Sequence, residues 1–216
     1  MYKPIVELIG RIEFEVQARR MKRDGLQMLS AADKAFTRMG VRAFLTYGAL
    51  LGAYREHGFI SYDPDIDLGV LASEIPANMH ELMRKAGFRL LRQNYIGTTG
   101  QVCEETYEYR KIHLDVFFYF SEGEDLYSII QRRHETKEWK EANTTDGFPC
   151  DRSYVPSCGF ERRDFLGLDV YMPDDTDGWL RAIYSDSYMT PVKNWNAKHY
   201  KTRIVHTSER SYRRCC

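Results

Sequence analysis

The chain has 216 residues, 43% apolar and 29% charged, and its 31 basic and 31 acidic side chains balance to a formal net charge of +0. That length fits one domain, or one domain with a small appendage, and the composition is that of a folded protein rather than a disordered one. With no net charge there is no global field to favour nucleic acid or an anionic membrane, so any anion must be held by local features.

In chain order, residues from about Ile12 to Met39 read as helix. Leu26, Leu29, Ala32, Phe36 and Met39 form an apolar stripe, Gly25 is a weak point and Gly40 a stop. Val41 to Thr46 reads as a short strand entering a turn at Gly48. Ala49 to Glu56 reads as a short helix ended by Gly58, and Ile66 to Leu71 as a second strand. Ser73 is positioned to cap a helix whose apolar face is Ile75, Met79, Leu82, Met83 and Ala86, closed by Gly87. Phe88 to Arg92, Thr106 to Arg110 and Ile112 to Phe120 read as strands, the last two as neighbours in a hairpin or separated by a bulge. A helix is expected near Leu126 to Lys140, a strand at Leu168 to Tyr171, and a helix capped by Thr176 carrying Trp179, Leu180, Ile183 and Tyr184. The sum is a mixed α+β domain with a small, partly antiparallel sheet flanked by helices.

The five cysteines, Cys103, Cys150, Cys158, Cys215 and Cys216, form no C-x-x-C pair, which points to free thiols in a reducing compartment. Cys150 and Cys158 have no second metal-spaced pair to complete a zinc site. Arg213-Arg214-Cys215-Cys216 reads as a frayed tail, with lipid modification as an alternative. No stretch approaches the roughly 20 apolar residues needed to span a bilayer, and Met1 to Arg20 lacks the apolar block of a signal peptide. The expected location is therefore cytoplasmic.

The chemistry concentrates in acids. Asp65 and Asp67 lie two residues apart on a strand and so point the same way, with Asp63 just before them. Adjacent carboxylates repel unless a cation lies between them, and magnesium suits such a site because it takes oxygen ligands and is usually completed by substrate phosphates. Asp115 sits in the apolar run Ile112-His113-Leu114-Asp115-Val116-Phe117-Phe118, on the opposite face from Leu114, Val116, Phe118 and Phe120. An acid there is costly unless paired or metal-bound. Upstream, the turn Tyr47-Gly48-Ala49-Leu50-Leu51-Gly52 brings backbone N–H groups to the start of a short helix, where they favour an anion, and Arg55 is within reach of the same anion. A calcium loop is the sharpest competing reading: Asp63, Asp65, Asp67 and Glu74 fall at its first, third, fifth and twelfth positions, but the sixth is Leu68 where the loop needs glycine.

The run from Phe44 to Val70 resembles the signature of the LicD family, which includes bacterial phosphocholine transferases and the eukaryotic fukutin and fukutin-related proteins. Its glycine turn, Arg and acidic triplet match Gly48, Arg55 and Asp63-Pro64-Asp65-Ile66-Asp67. Ile112 to Phe117 is similar to the family's I-D-V-F strand, and Leu180 to Pro191 to its L-x-x-x-Y-G segment. Two departures stand out: Ser61-Tyr62 replaces the family's Pro-Trp, and Ser185 replaces its Gly.

The resemblance implies a nucleotidyltransferase-like fold and a single transferase domain over residues 1–216. Residues 1–40 would be an N-terminal helical segment, 41–191 the catalytic core and 192–216 a basic C-terminal tail. It implies transfer of a phospho-alcohol, phosphocholine or a phospho-alditol, from a CDP-linked donor to a glycan or glycolipid hydroxyl with release of CMP. Asp65, Asp67 and Asp115 would be catalytic and would ligate Mg²⁺ or Mn²⁺, with Asp115 also accepting the attacking hydroxyl's proton. Tyr47, Gly48, Arg55 and Asp63 would serve substrate binding. The basic residues Lys193, Lys198, His199, Lys201 and Arg203 would line a groove or form a solvated face. The alternatives are a nucleotidyltransferase that attaches NMP and releases pyrophosphate, and a non-catalytic metal- or nucleotide-binding protein.

Overall fold

The structure, a computed structural model, describes residues 3–192 and 203–216, with side chains described from Ile12 onward. A long helix, α1 (Lys3–Met39), is followed by β1 (Phe44–Leu45) and α2 (Tyr47–Leu51), which runs on as a wider π-helical turn, Gly52–Glu56. Next come β2 (Asp65–Leu71), α3 (Met79–Lys85), β3 (Arg89–Ile96), β4 (Val102–Tyr109), β5 (Ile112–Glu122) and β6 (Asp125–Gln131). The remainder is α4 (Trp139–Thr144), β7 (Phe148–Pro156), β8 (Phe160–Phe165), β9 (Leu168–Pro173), α5 (Thr176–Tyr184) and β10 (Ile204–Cys215).

The sheet is not small. Among the described residues it has ten strands in the order β4-β3-β10-β7-β6-β5-β2-β1-β9-β8, and a further β4–β5 pairing closes six of them into a ring. Ile96, Cys103, Ile129 and Cys150, from β3, β4, β6 and β7, meet across that ring. The main core lies where α1, α3 and the even-numbered residues of β2 and β5 (Ile66, Leu68, Val70, Leu114, Val116) pack together. On the other face, Trp179 of α5 is fully buried against Phe44, Tyr119 and Phe160, with its indole N–H on the Pro156 carbonyl at 2.9 Å. A Cβ at Gly69 would overlap the Phe44 ring, so Phe44 of β1 can lay its ring against the neighbouring strand β2 only because residue 69 has no side chain.

Helix α1 runs unbroken through Gly25, whose missing side chain makes room for Met21. Its buried stripe is Met21, Met28, Leu29, Ala32, Ala35 and Phe36; Leu26, expected inside, is exposed. Gly40, at φ +73°, ends the helix with Val41 N–H on the Phe36 carbonyl and Gly40 N–H on Thr37, the paired bonds of a Schellman cap. Three local expectations shift by a few residues. The turn after α2 is ended by His57 in the left-handed region, not by Gly58; α3 starts after Asn78 rather than at Ser73; and α5 is capped by the Asp175 side chain on Gly178 N–H.

Two larger expectations fail. The helix expected over Leu126 to Lys140 is absent from 126–138, and only its last two residues fall in α4: residues 125–131 form β6, joined to β5 by a two-residue turn with Gly123 at φ +61°. Tyr127, Ile129 and Ile130 favour a pleated surface, and the hairpin supplies the pairing partner that local helical periodicity ignores. The C-terminal residues are no frayed tail: β10 sits between β3 and β7, with Arg213 opposite Asn94 and Cys215 opposite Arg92. Arg203 is held by Asp125 at 2.9 and 2.5 Å, whereas Lys193, Lys198, His199 and Lys201 lie outside the described residues. Cys150 packs with Ile129 in the ring while Cys158 packs on the main core, so they share no site. Among the described residues no helix is long and apolar enough to cross a membrane.

Candidate active site

The site is set by register. Strands β2 and β5 run parallel, with Asp65 opposite His113 and Asp67 opposite Asp115. Strand β4 lies on the far side of β5, with Thr106 opposite Asp115 and Glu104 opposite Phe117, and β3 follows with Arg92 opposite Thr106 and Asn94 opposite Glu104. Because side chains alternate between faces, one face carries a cross-strand row of Asp67, Asp115, Thr106 and Arg92. The adjacent row reads Gly69, Phe117, Glu104, Asn94 and Arg213. Asp65, Asp67 and Asp115 therefore share a face although 50 residues separate the first from the last.

Electrostatics on this face are frustrated. Burial, then the charges of Asp65, Asp63 and Asp115, push the Asp67 carboxyl well above the usual carboxylate range. Burial and the Asp63 charge bring Asp65 up to about 7. Burial raises Asp115 to about 6, opposed by Arg92 and by a short hydrogen bond from the Thr106 hydroxyl. Asp63 is raised by burial as well, while a hydrogen bond with Asp65 pulls it down. Burial is the largest cause in all four, and Arg92, 3.7 Å from Asp115, does not offset it.

That deficit fits a divalent cation. Among the described residues no three His, Cys, Asp or Glu side chains are gathered tightly enough to hold one alone. The donor set therefore suits an ion that takes one or two carboxylates and completes its shell with water and substrate phosphate, as magnesium does. Calcium-loop coordination is excluded by Glu74, which accepts the Arg42 backbone N–H at 3.1 Å and pairs with its guanidinium.

The glycine turn works on the acids directly. Gly48 N–H donates to Asp67 Oδ2 at 3.0 Å, and a Cβ at residue 48 would overlap Asp63 Oδ2. The residue is small so that a carboxylate can lie against its backbone. Tyr47 takes φ +40°, buries its ring at 4.6 Å from Phe117, and shares a 2.6 Å hydrogen bond with Ser128. Burial pushes its hydroxyl up to about 12. Arg55 is committed elsewhere: its side chain is 8% exposed, pairs with Glu56 at 2.9 Å and donates to the Tyr188 carbonyl at 3.0 Å. It pins the segment after α5 to the π-helical turn that continues α2, the helix that carries Gly48.

Several residues of this face carry no sequence signal. Arg92 Nη2 lies 3.5 Å from Glu104 and 3.7 Å from Asp115. Asn94 donates to Glu104 at 2.7 Å and accepts from Arg213 Nε at 3.1 Å. Only the topology, which threads β10 beside β3, brings Arg213 here. Tyr184 could have been found: it is the Tyr of the Leu180 to Pro191 segment, and after burial the charges of Asp67 and Asp63 are what raise its hydroxyl. Ser185, where the resembling segment has Gly, takes φ +82° and ψ 174°, a region that suits glycine.

The profile described as LicD/FKTN/FKRP, nucleotidyltransferase domain, matches residues 40–175, from the end of α1 to the start of α5. The mouse and human proteins named ribitol-5-phosphate transferase FKTN are each 24% identical to the chain over 184 residues, covering 85% of it. The chain spans 37% of the length of these relatives. An uncharacterised Caenorhabditis elegans protein is 36% identical over 93 residues, 41% of this chain and 24% of that protein.

Proposed function

Because the chain belongs to the LicD/FKTN/FKRP family, which the match over residues 40–175 shows, we propose that it transfers a phospho-alcohol from a CDP-linked donor to a glycan hydroxyl, with CMP leaving. The mouse and human relatives' name favours ribitol-5-phosphate as the transferred group, and phosphocholine is the second candidate. In this reading the β2–β5 pair is the acid-bearing part of a nucleotidyltransferase-like fold, residues 1–216 act as one transferase domain, and a glycan or glycolipid is the acceptor.

One observation carries the proposal: Asp67 faces Asp115 across parallel strands, Asp65 shares their face, and burial followed by mutual repulsion raises the carboxyls of this group. Asp65 and Asp67 would hold Mg²⁺ or Mn²⁺, which when bound supplies charge neutralisation for a diphosphate and its departing nucleotide. Gly48 fixes the Asp67 carboxylate through its backbone N–H. Asp115, raised to about 6 yet kept ionisable by Arg92 and Thr106, is suited to accept the proton of the attacking hydroxyl near neutral pH. Arg55 would act by holding the Tyr188 segment against the site rather than by touching donor.

Incubation with a panel of CDP-alcohols, an oligosaccharide acceptor and Mg²⁺, with chromatography of the nucleotide products, tests the proposal. CMP released in step with acceptor modification is the expected result. Pyrophosphate released from a nucleoside triphosphate, with NMP joined to the acceptor, would replace the phospho-alcohol reading with a nucleotidyl-transfer one. Binding of donor without either product would leave a non-catalytic protein.

A further inference from the structure

We propose that Arg92 and Arg213 form the anion-holding wall of the site, binding the diphosphate of a nucleotide-linked donor opposite the acids; this rests on the donor-dependent reading above. The row Asp67, Asp115, Thr106 and Arg92 is negative at its β2 end and positive at its β3 end. Adjacent strands are about 4.8 Å apart, so a group lying along the row meets acids first and a guanidinium two to three strands later. A metal–diphosphate complex has that polarity: its cation suits the carboxylates and its phosphate oxygens suit a planar fork of N–H donors.

Both arginines have donors to spare. Among the described residues Arg92 Nε is buried with no hydrogen-bond partner, and its Nη2 lies 3.5 Å from Glu104 and 3.7 Å from Asp115. A buried donor left unpaired costs about 1–3 kcal/mol, a cost that is recovered when the guanidinium turns to present Nε to a phosphate oxygen. Arg213 is braced by Asn94 at 3.1 Å and Gln131 at 2.9 Å through Nε and Nη2, while its backbone N–H is held by Asn143. Among the described residues its Nη1 has no hydrogen-bond partner, which leaves it for a ligand. Asn94, bonded to both Glu104 and Arg213, sets the distance between the two guanidinium groups. Arg213 lies beyond residues 40–175, on the strand that completes the ring, so β10 would add a substrate contact to the matched domain.

The test is titration calorimetry of the full chain with inorganic pyrophosphate in the presence of Mg²⁺, on wild type, Arg213→Gln, Arg213→Lys and Arg92→Lys, with melting temperatures measured alongside. Arg213→Gln is expected to weaken pyrophosphate binding at least ten-fold, with Arg213→Lys recovering part of it and Arg92→Lys weakening it several-fold. A purely structural role would lower the melting temperature and leave the dissociation constant of the folded fraction unchanged, which overturns the proposal. So does wild type that binds no pyrophosphate. Pyrophosphate carries neither cytidine nor alcohol, so this result stands or falls separately from turnover with CDP-alcohols.

Discussion

Replacing Asp67 by Asn should make the protein more stable and inactive at once. Asn keeps an oxygen to accept the Gly48 N–H, so the 3.0 Å bond survives while the negative charge that Asp67 carries when ionised leaves the cluster of Asp63, Asp65, Asp67 and Asp115. An upper limit on the repulsion is read from Asp65, whose carboxyl stands at about 7 against an ordinary 3.8. At about 1.4 kcal/mol per pKa unit this caps the penalty near about 4 kcal/mol, and burial rather than charge supplies the larger part. Removing one carboxylate should therefore recover about 1–2 kcal/mol in chelator at pH 7.5. For a chain of this length that is a rise in melting temperature of about 2–8 °C. Wild type should gain about 2–3 kcal/mol from Mg²⁺ at 100 times its dissociation constant. Asp67→Asn should gain little, and its CMP release should fall at least 100-fold. Differential scanning fluorimetry with and without Mg²⁺, beside the turnover assay, reads all three. A variant that melts lower than wild type in chelator, or keeps the full Mg²⁺ shift, would refute the reasoning.

The raised carboxyls also set a pH dependence. A group whose pKa is higher in the folded state favours folding below its unfolded value and loses that contribution as pH rises through the folded value. With Asp115 at about 6 and Asp65 at about 7, metal-free protein should lose stability from about pH 4 to above pH 7. Melting in chelator at pH 5.5 and pH 8.0 checks this, and Mg²⁺ should stabilise more at pH 8.0. Ser185→Gly should relieve the strain at φ +82° and raise the melting temperature by about 2–4 °C, net of glycine's larger unfolded-state entropy; a decrease would mean that the Ser185 hydroxyl matters more than the backbone. Arg55→Gln should cost about 1–3 kcal/mol and speed amide exchange at residues 188–190, because the Tyr188 carbonyl loses its donor. Unchanged exchange would return Arg55 to the phosphate-binding role expected from sequence.

The acid face was legible because its information is short-range. Asp65 and Asp67 obey the two-residue period of a strand, and Asp115 stands out as an acid in an apolar run. Parallel pairing of β2 with β5 then needed only one register to bring them together. Gly48 was found for a nearby reason: it was read as room for a phosphate and proves to be room for Asp63 and Asp67. What stayed hidden depends on contacts distant in sequence. Residues 125–131 carry a weak pattern that becomes a strand only through its hairpin with β5. Arg213 looks like one basic residue in a charged tail until β10 is inserted between β3 and β7. Arg92 sits in a correctly read strand, yet no motif marks it, because its meaning comes from Asp115 two strands away.

Anomalous scattering from crystals grown with Mn²⁺ and a non-hydrolysable CDP-alcohol tests the central claim most directly. The account predicts manganese bound by Asp65 and Asp67, with the diphosphate running from that ion toward Arg92 and Arg213. Manganese bound elsewhere, or a diphosphate seated away from the Asp67–Asp115 row, would contradict it.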